Sequence, residues 1–467
     1  MVLTMVLLLI LALLAGCASS TAAGNAPKRS ADRPNIVLIV ADDLGYADLG
    51  FTGAADIPTP HLDRLAAEGV FCTDGHVSAS VCAPSRAGLL TGRYQQRQGF
   101  EMNLRPNEGL LPGTITLPAQ LQRAGYRTAA IGKWHVGYQV QNTPVAAGFD
   151  HFCGLLSGSR SYFPMEKAPG KTKRIERNGE VVPESSLGYL TDFFTYEGVS
   201  VLEEESTEPL FLYMSYTAPH GPMHARPDLY EALEAIEEPG RRKYAAMVAA
   251  LDEGVGELRA ALERTGQADN TLIIFLSDNG GATNNHSDNG PWRGMKGSKW
   301  EGGQRVPFLV HWPARLAPQR FDHVVSSLDL TPTFLAAAGA SSVDPSDGEN
   351  ILPWLEGRVA APEARTLYFR RGVVAAIREG DWKLIRVTEE DGSLRSPVLV
   401  DLARDPGELV DVSGEEPERV QALMGKLDEW ESELQPPRWF TGEVWTKNQR
   451  LKHQPDLIGR DAERRLP

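Results

Sequence analysis

The chain is poor in cysteine, with Cys17, Cys72, Cys82 and Cys153 the four in 467 residues. So few thiols exclude a disulfide-built scaffold. Their spacing, with no Cys/His cluster, matches no zinc site. Long apolar runs are lacking too: Val6 to Ala15 is too short to read as a membrane span. Positive charge is in deficit, 47 Lys+Arg against 61 Asp+Glu, a net charge of -14. That balance argues against nucleic acid or an acidic membrane as the main partner. It leaves room for a local basic pocket that takes an anionic substrate. No internal repeat is evident.

What is present describes a folded protein long enough for a substantial core and two domains. Hydrophobic residues make up 42% and charged residues 23%, while 45 Gly and 32 Pro indicate many turns. The run Val6 to Ala15 ends at Gly16-Cys17, and no Lys or Arg precedes it. Residues 18–32 are rich in Ala, Ser and Thr and read as a flexible spacer. The segment Leu14-Ala15-Gly16-Cys17 resembles a bacterial lipoprotein processing site, with Cys17 as the lipidated residue. The expectation is an exported bacterial protein, periplasmic or at the cell surface, that meets the membrane only through this anchor. Plain secretion with cleavage near Ala22 or Ala23 is the alternative. Cys72 and Cys153 read as buried thiols rather than a pair.

Asn35-Ile36-Val37-Leu38-Ile39-Val40 has no polar alternation and reads as a central strand buried on both faces. Thr128 to Ile131, Leu210 to Tyr216, Thr271 to Leu276 and Val306 to Trp312 have similar character. Helices are predicted over Thr59 to Glu68, Ser85 to Thr91, Leu117 to Ala124, Arg241 to Thr265 and Ser326 to Ala338. This alternation predicts a doubly wound α/β domain over residues 33–360. Beyond it, four short strands between Leu367 and Leu402 and a helix over Glu416 to Leu434 predict a smaller C-terminal domain, 361–467, of a four-stranded antiparallel sheet with a helix. The tail from Trp439 is polar and reads as irregular.

In doubly wound sheets, ligands bind beyond the C-terminal ends of the strands. Asp42, Asp43, His220, Asp278 and Asn279 all follow predicted strands. Three carboxylates and one amide make a hard oxygen cage for Ca²⁺, or for Mg²⁺, with Ca²⁺ favoured. Cys82 stands at a helix start before Pro84, where unpaired N–H groups favour an anion, and Arg86 follows one turn later. Unmodified, Cys82 would be a low-pKa nucleophile or a buried thiol. Lys133 and His135 follow another strand and share a face if the segment stays extended. Lys296 lies in the glycine-interrupted loop Arg293-Gly294-Met295-Lys296-Gly297. Together these residues describe an anion-handling hydrolase.

The motifs that carry a family resemblance are Ala41-Asp42-Asp43-Leu44-Gly45, Cys82-Ala83-Pro84-Ser85-Arg86 with Leu90-Thr91-Gly92-Arg93, Gly132-Lys133-Trp134-His135, Ala218-Pro219-His220, Ser277-Asp278-Asn279-Gly280, and Lys296-Gly297 followed by Trp300-Glu301-Gly302-Gly303. The chain resembles a type I, formylglycine-dependent sulfatase of the alkaline phosphatase superfamily, arylsulfatase-like, from roughly Arg33 to Asp405. The resemblance implies that a separate formylglycine-generating maturation enzyme oxidises Cys82, and that a hydroxyl of the aldehyde hydrate attacks sulfur. It implies that Asp42, Asp43, Asp278 and Asn279, with the modified Cys82, hold one divalent cation. Arg86 and Lys133 would hold the hydrate, and His135 would be the base that lets it expel sulfate. His220 and Lys296 would contact the sulfate oxygens, with His220 the favoured proton donor to the leaving oxygen.

The expected substrate is a sulfated saccharide or an aryl sulfate. A phosphomonoester or phosphodiester hydrolase is the first rival, and a non-catalytic binder of sulfated glycans the second. Specificity is expected from Arg160 and Tyr162, from His224 and Arg226, and from His286, Trp292 and Arg293. Trp292 would stack on a sugar face, and Arg293 would meet a uronate or a second sulfate.

Overall fold

The computed structural model describes residues 33–454 apart from residues 168 and 441, so the predicted signal segment, Cys17 and the spacer lie outside the described residues. In chain order the strands are β1 Asn35–Ala41, β2 Val70–Cys72, β3 Gly75–His76, β4 Arg127–Lys133, β5 His151–Leu155, β6 Glu176–Arg177, β7 Glu180–Val181, β8 Leu210–Ser215, β9 Thr271–Ser277, β10 Phe308–His311, β11 Gln319–Phe321, β12 Val325–Ser326, β13 Thr366–Arg371, β14 Val374–Glu379, β15 Trp382–Val387 and β16 Val398–Asp401. The helices used below are α1 Pro60–Glu68, α2 Cys82–Thr91, α3 Leu117–Arg123, α4 Leu190–Glu203, α5 Pro239–Arg264, α6 Leu330–Ala337, α7 Pro417–Ser432 and α8 Glu443–Lys452.

Ten strands form the large sheet in the order β11-β2-β10-β9-β1-β8-β4-β5-β6-β7. The central strands β9, β1, β8, β4 and β5 are all parallel. Their C-terminal ends therefore open onto one edge. The strand foreseen at Val306 to Trp312 is β10, and it runs antiparallel to β9, so its N-terminal end, with Phe308 beside Leu276, is the one that reaches that edge.

The unbroken apolar run of β1 is explained by its two covered faces. Ile36, Leu38 and Val40 pack with Ala87, Leu90, Leu117, Leu121, Phe334 and Leu335 of α2, α3 and α6. Val37, Ile39 and Ala41 face the opposite way, toward Phe194 and Val201 of α4 and Tyr244, Val248, Leu251, Val255 and Leu258 of α5. Each fully buried side chain of this size contributes about 1.5–3 kcal/mol. The stripe on α5 is the one foreseen, and the Glu238 carboxylate caps its N-terminus by accepting from Gly240 N at 3.0 Å and from Arg241 N.

The small sheet β13–β16 is an antiparallel meander. Leu423, Leu427 and Trp430 of α7 pack on Ile377, Leu384 and Leu399. The other face sets Phe369, Ile385 and Val400 against Trp300 of the large unit. Cys72 and Cys153 are buried free thiols, as expected.

Two expectations are corrected. The stretch Ser326 to Ala338 is not one helix: a 3₁₀ turn at Ser327–Asp329 precedes α6. The tail beyond Trp439 is not irregular, because α8 docks there. Trp300 Nε1 donates to Lys452 O at 3.0 Å, and Lys299 N donates to His453 Nε2 at 2.7 Å. Among the described residues, no helix is long and apolar enough to cross a membrane.

Candidate active site

The sheet edge gathers the foreseen residues. Asp42 follows β1 directly, Asp278 follows β9, Lys133 ends β4, and His220 lies five residues beyond β8. Asp43 takes a left-handed conformation, φ 63°. That turn brings adjacent carboxylates to one point: Cys82 Sγ lies 3.5 Å from Asp42 Oδ1 and 3.7 Å from Asp43 Oδ1. Ligand atoms of Asp42, Asp43, Cys82 and His220 all fall within 4.8 Å of one another.

Cys82 is the first residue of α2, a helix whose ten residues are all buried. Burial pushes its thiol up, against the pull of Lys133 and Lys296. The reading of unmodified Cys82 as a low-pKa nucleophile is therefore not supported; at neutral pH it is a protonated thiol. Arg86, one turn on, does not fold back onto Cys82. Its Nε donates to Asp278 Oδ2 at 2.8 Å, and Nη1 donates to Tyr213 Oη at 3.2 Å and to Ser215 Oγ. Tyr213 and Ser215 of β8 were missed in the sequence. A serine ending an apolar strand was the available signal.

Cations balance the carboxylates. Lys133 Nζ donates to Asp42 Oδ2 at 2.6 Å, and Lys296 Nζ to Asp43 Oδ2 at 2.6 Å. Burial pushes both aspartates up, but Lys133 beside Asp42 and Lys296 beside Asp43, with His220, outweigh it and hold both below the carboxylate range. Asp278 goes the other way, to about 6, through burial and the Asp42 charge. Lys133 gets this close because Gly132 has φ 108°, and any Cβ there would lie 2.0 Å from Ser215 O.

His135 is not the continuation of an extended strand. Its φ of 59° turns the chain, and its ring packs against Gly158, where a Cβ would come within 2.7 Å of Cε1. Burial, then Lys133 and Arg86, hold it well below the ordinary histidine value, so it is neutral at pH 7. The His220 Nδ1 donates to Gly221 O at 2.6 Å, which turns Nε2 toward Asp43 Oδ2 at 3.5 Å. Tyr162 is fully buried, and its hydroxyl lies against Thr217 O at 2.5 Å and His220 O at 2.9 Å. It positions the His220 loop from below.

The residue set fits a hard divalent cation on the structure's own terms. Asn279 Nδ2 donates to Asp43 Oδ1 at 2.8 Å, yet Asn279 Oδ1 is buried with no partner. An orphan acceptor beside three buried carboxylates is the chemistry of an oxygen-ligand site. A second acidic group, Asp74, His76 and Glu301, does not fit one. Arg378 Nη2 takes Asp74 Oδ2 at 2.6 Å and Lys383 Nζ takes Glu301 Oε1 at 2.8 Å. This network joins the small sheet to the large unit.

Most of the foreseen specificity residues have other partners. Arg160 is paired with Glu184 at 2.6 Å, and Arg226 with Asp192, Asp228 and Glu253. Arg293 lies over the Trp300 ring at 3.7 Å and donates to Glu408 O at 2.6 Å, so it is not free for a uronate. Trp292 carries the Arg305 guanidinium at 3.8 Å, which occupies a face expected to stack on sugar. His286 Nδ1 lies 3.1 Å from Glu238, and His224 Nδ1 lies 3.3 Å from Ser161 Oγ.

Fold and site together define a hydrolase of the alkaline phosphatase-like class. The model of the sulfatase family matches residues 34–340, and the chain belongs to that family: it is a sulfuric ester hydrolase. A second model, for the C-terminal part of N-sulphoglucosamine sulphohydrolase, matches residues 296–434. Mouse arylsulfatase J is 32% identical over 466 residues, covering 87% of this chain and 77% of that one. Human arylsulfatase A is 33% identical over 448 residues, covering 84% and 86%. Among solved structures, Ps i-CgsB in complex with k-i-k-neocarrahexaose superimposes with a TM-score of 0.83 at 36% identity, covering 93% of this chain and all of that one. The phosphonate monoester hydrolase of Agrobacterium radiobacter shares the fold, with a TM-score of 0.64 at 23% identity over 86% and 95% of the two chains.

Proposed function

We propose that this sulfatase releases inorganic sulfate from a sulfated carbohydrate, using a formylglycine made from Cys82 and one divalent cation, Ca²⁺ ahead of Mg²⁺. The observation that carries the reading is Cys82 itself: a buried thiol at the start of α2, 3.5 Å from Asp42 and 3.7 Å from Asp43. When present, the aldehyde supplies a hydrated hydroxyl as nucleophile and the cation neutralises the charge that gathers there. The cation would be held by Asp42, Asp43, Asp278 and Asn279 together with the modified Cys82 side chain.

Around these groups the chain's own side chains do the rest. Lys133 and Lys296 bring positive charge to where the sulfate oxygens gather negative charge in the transition state. Arg86, fixed by Asp278, Tyr213 and Ser215, anchors the carboxylates. The S–O bond to the carbohydrate breaks, and the leaving oxygen takes a proton from Nε2 of His220 in its imidazolium form, whose Nδ1–H stays on Gly221 O. His135, held neutral by burial, accepts the proton whose loss allows sulfate to depart. Net, water is consumed and an alcohol and sulfate are produced.

The carbohydrate assignment draws on Ps i-CgsB, solved with an oligosaccharide, and on the N-acetylgalactosamine-6-O-sulfatase of Bacteroides thetaiotaomicron, 29% identical over 508 residues. Export and lipidation at Cys17 belong to the same proposal and rest on residues 1–17. A C17A chain that still takes up labelled fatty acid would remove the anchor. For the chemistry, C82S should fold normally and lose most turnover of aryl sulfate and sulfated saccharides, while the active protein shows the aldehyde by mass spectrometry. Full activity in C82S, or faster turnover of aryl phosphate than of aryl sulfate, would end the reading.

A further inference from the structure

Arg371 ends β13 on the small sheet, and its guanidinium reaches the large unit. The residue is only 7% exposed, and its Nε is buried without a hydrogen-bond partner. Among the described residues no carboxylate pairs with it. Neighbouring buried arginines each have a carboxylate ion-pair partner: Arg370 takes Glu101 at 2.6 Å, Arg378 takes Asp74 at 2.6 Å, and Arg86 takes Asp278 at 2.7 Å. Glu101, the acid that could have served Arg371, is spent on Arg370 and on Gly372 N at 2.8 Å. Burial accordingly pulls Arg371 down to about 10.

The place of this unpaired cation is next to the reacting centre. Arg371 Nη1 lies 3.0 Å from where a Cβ on Gly297 would stand, with Lys452 Nζ at 3.5 Å and Gln449 Nε2 at 3.7 Å from the same point. Gly297 directly follows Lys296, and its N–H donates to Ser80 O at 2.7 Å, two residues before Cys82. Lys452 Nζ donates to Lys296 O at 3.2 Å. Lys299 Nζ donates to Ser80 Oγ at 3.0 Å and is itself pulled down by burial and by Arg371. The Trp445 ring lies under the guanidinium at 4.6 Å, and Gln449 Oε1 is buried without a partner. Hence β13, α8 and the Lys296 loop bring the Arg371 guanidinium, the Lys452 ammonium and the Gln449 amide around one point at Gly297.

We infer that Arg371, assisted by Lys452 and Gln449, forms a subsite for a second anionic group, a sulfate ester or a uronate carboxylate, on the saccharide whose sulfate is removed. An unpaired buried guanidinium is a cost to folding. Its planar fork matches two oxygens of either anion. The inference rests on the sulfatase reading and deepens it, because the subsite prefers multiply charged saccharides over simple monosulfates.

The test compares R371M and R371K with the wild-type enzyme on three substrates: an aryl monosulfate, a disulfated disaccharide and a sulfated uronate disaccharide. A charged hydrogen-bond pair lost on binding reads as about a 10- to 100-fold fall in kcat/KM. R371M should show that fall on whichever doubly charged saccharide the site takes, stay within about threefold on the aryl sulfate, and melt at or above the wild-type temperature. R371K should recover part of the loss, as a point charge without the fork. Equal losses on all three substrates, no loss on any, or a markedly lower melting temperature would overturn the inference. Calorimetric binding of the same saccharides to C82A, with and without R371M, needs no turnover. If wild-type protein cleaves no sulfate ester, the sulfatase reading fails by itself while this arm still decides the subsite: tighter binding of the doubly charged saccharides that R371M abolishes supports it, and equal binding refutes it.

Discussion

Lys383 holds the small sheet to the large unit, and replacing it with methionine removes its charge while keeping its length. The side chain is fully buried, with Nζ 2.8 Å from Glu301 Oε1 and 3.0 Å from Glu408 Oε1. At an effective dielectric of about 20, each contact is worth roughly 5–6 kcal/mol of attraction. Burying the ammonium returns much of that, and taking one partner out of a buried pair costs about 3–5 kcal/mol, so K383M should lose about 4 kcal/mol. Its pH dependence follows from the acids left behind. Burial pushes Glu408 up to about 7, and Glu301 sits below its ordinary value because Lys383 and Arg378 outweigh its burial. Without Lys383 both folded-state values rise. An acid whose folded value exceeds its unfolded value destabilises above the unfolded value, near 4.5, and costs nothing below it. The deficit of K383M should thus be largest at about pH 8 and shrink toward about pH 5, read by equilibrium denaturation at both. A variant within about 1 kcal/mol of wild type at pH 8, or a deficit that grows on acidification, would refute the network as described.

Further outcomes follow from the site. G158A places a methyl 2.7 Å from His135 Cε1, so kcat should fall about 10- to 100-fold with little change in melting temperature, checked by steady-state kinetics and circular dichroism. Chelation should abolish turnover and added Ca²⁺ restore it more fully than Mg²⁺, followed by sulfate release after dialysis. Y162F removes the hydroxyl beneath Thr217 O and His220 O, costing about 1–2 kcal/mol, and should lower kcat more than it raises KM.

Much of the site was legible because parallel sheets sort chemistry to one edge. β1 announces itself by burial on both faces, and Asp42 and Asp278 sit where β1 and β9 end. What was not legible depends on pairings between distant segments. Nothing near Arg293 or Trp292 in the sequence says that Trp300 and Arg305 will occupy them, and nothing near Arg371 says that Glu101 will be taken by its neighbour. The helix α8 was missed for a related reason. Its interior carries Lys447 and Gln449 rather than an apolar stripe, and its docking relies on Trp300, Arg371 and the Lys296 loop, about 75 to 155 residues away in sequence.

The complete burial of α2 sets an order of events for the protein's biogenesis. Once the helix lies under the sheet, a second macromolecule has no access to Cys82, which is 1% exposed. Any enzyme that reads Cys82 to Arg86 must therefore meet the chain while that segment is still uncoiled, and compaction closes the opportunity. On the proposed formylglycine chemistry, a population folded before that meeting would be native in shape and lack its nucleophile. The speed at which α2 docks is then as consequential for the yield of working enzyme as any residue at the centre.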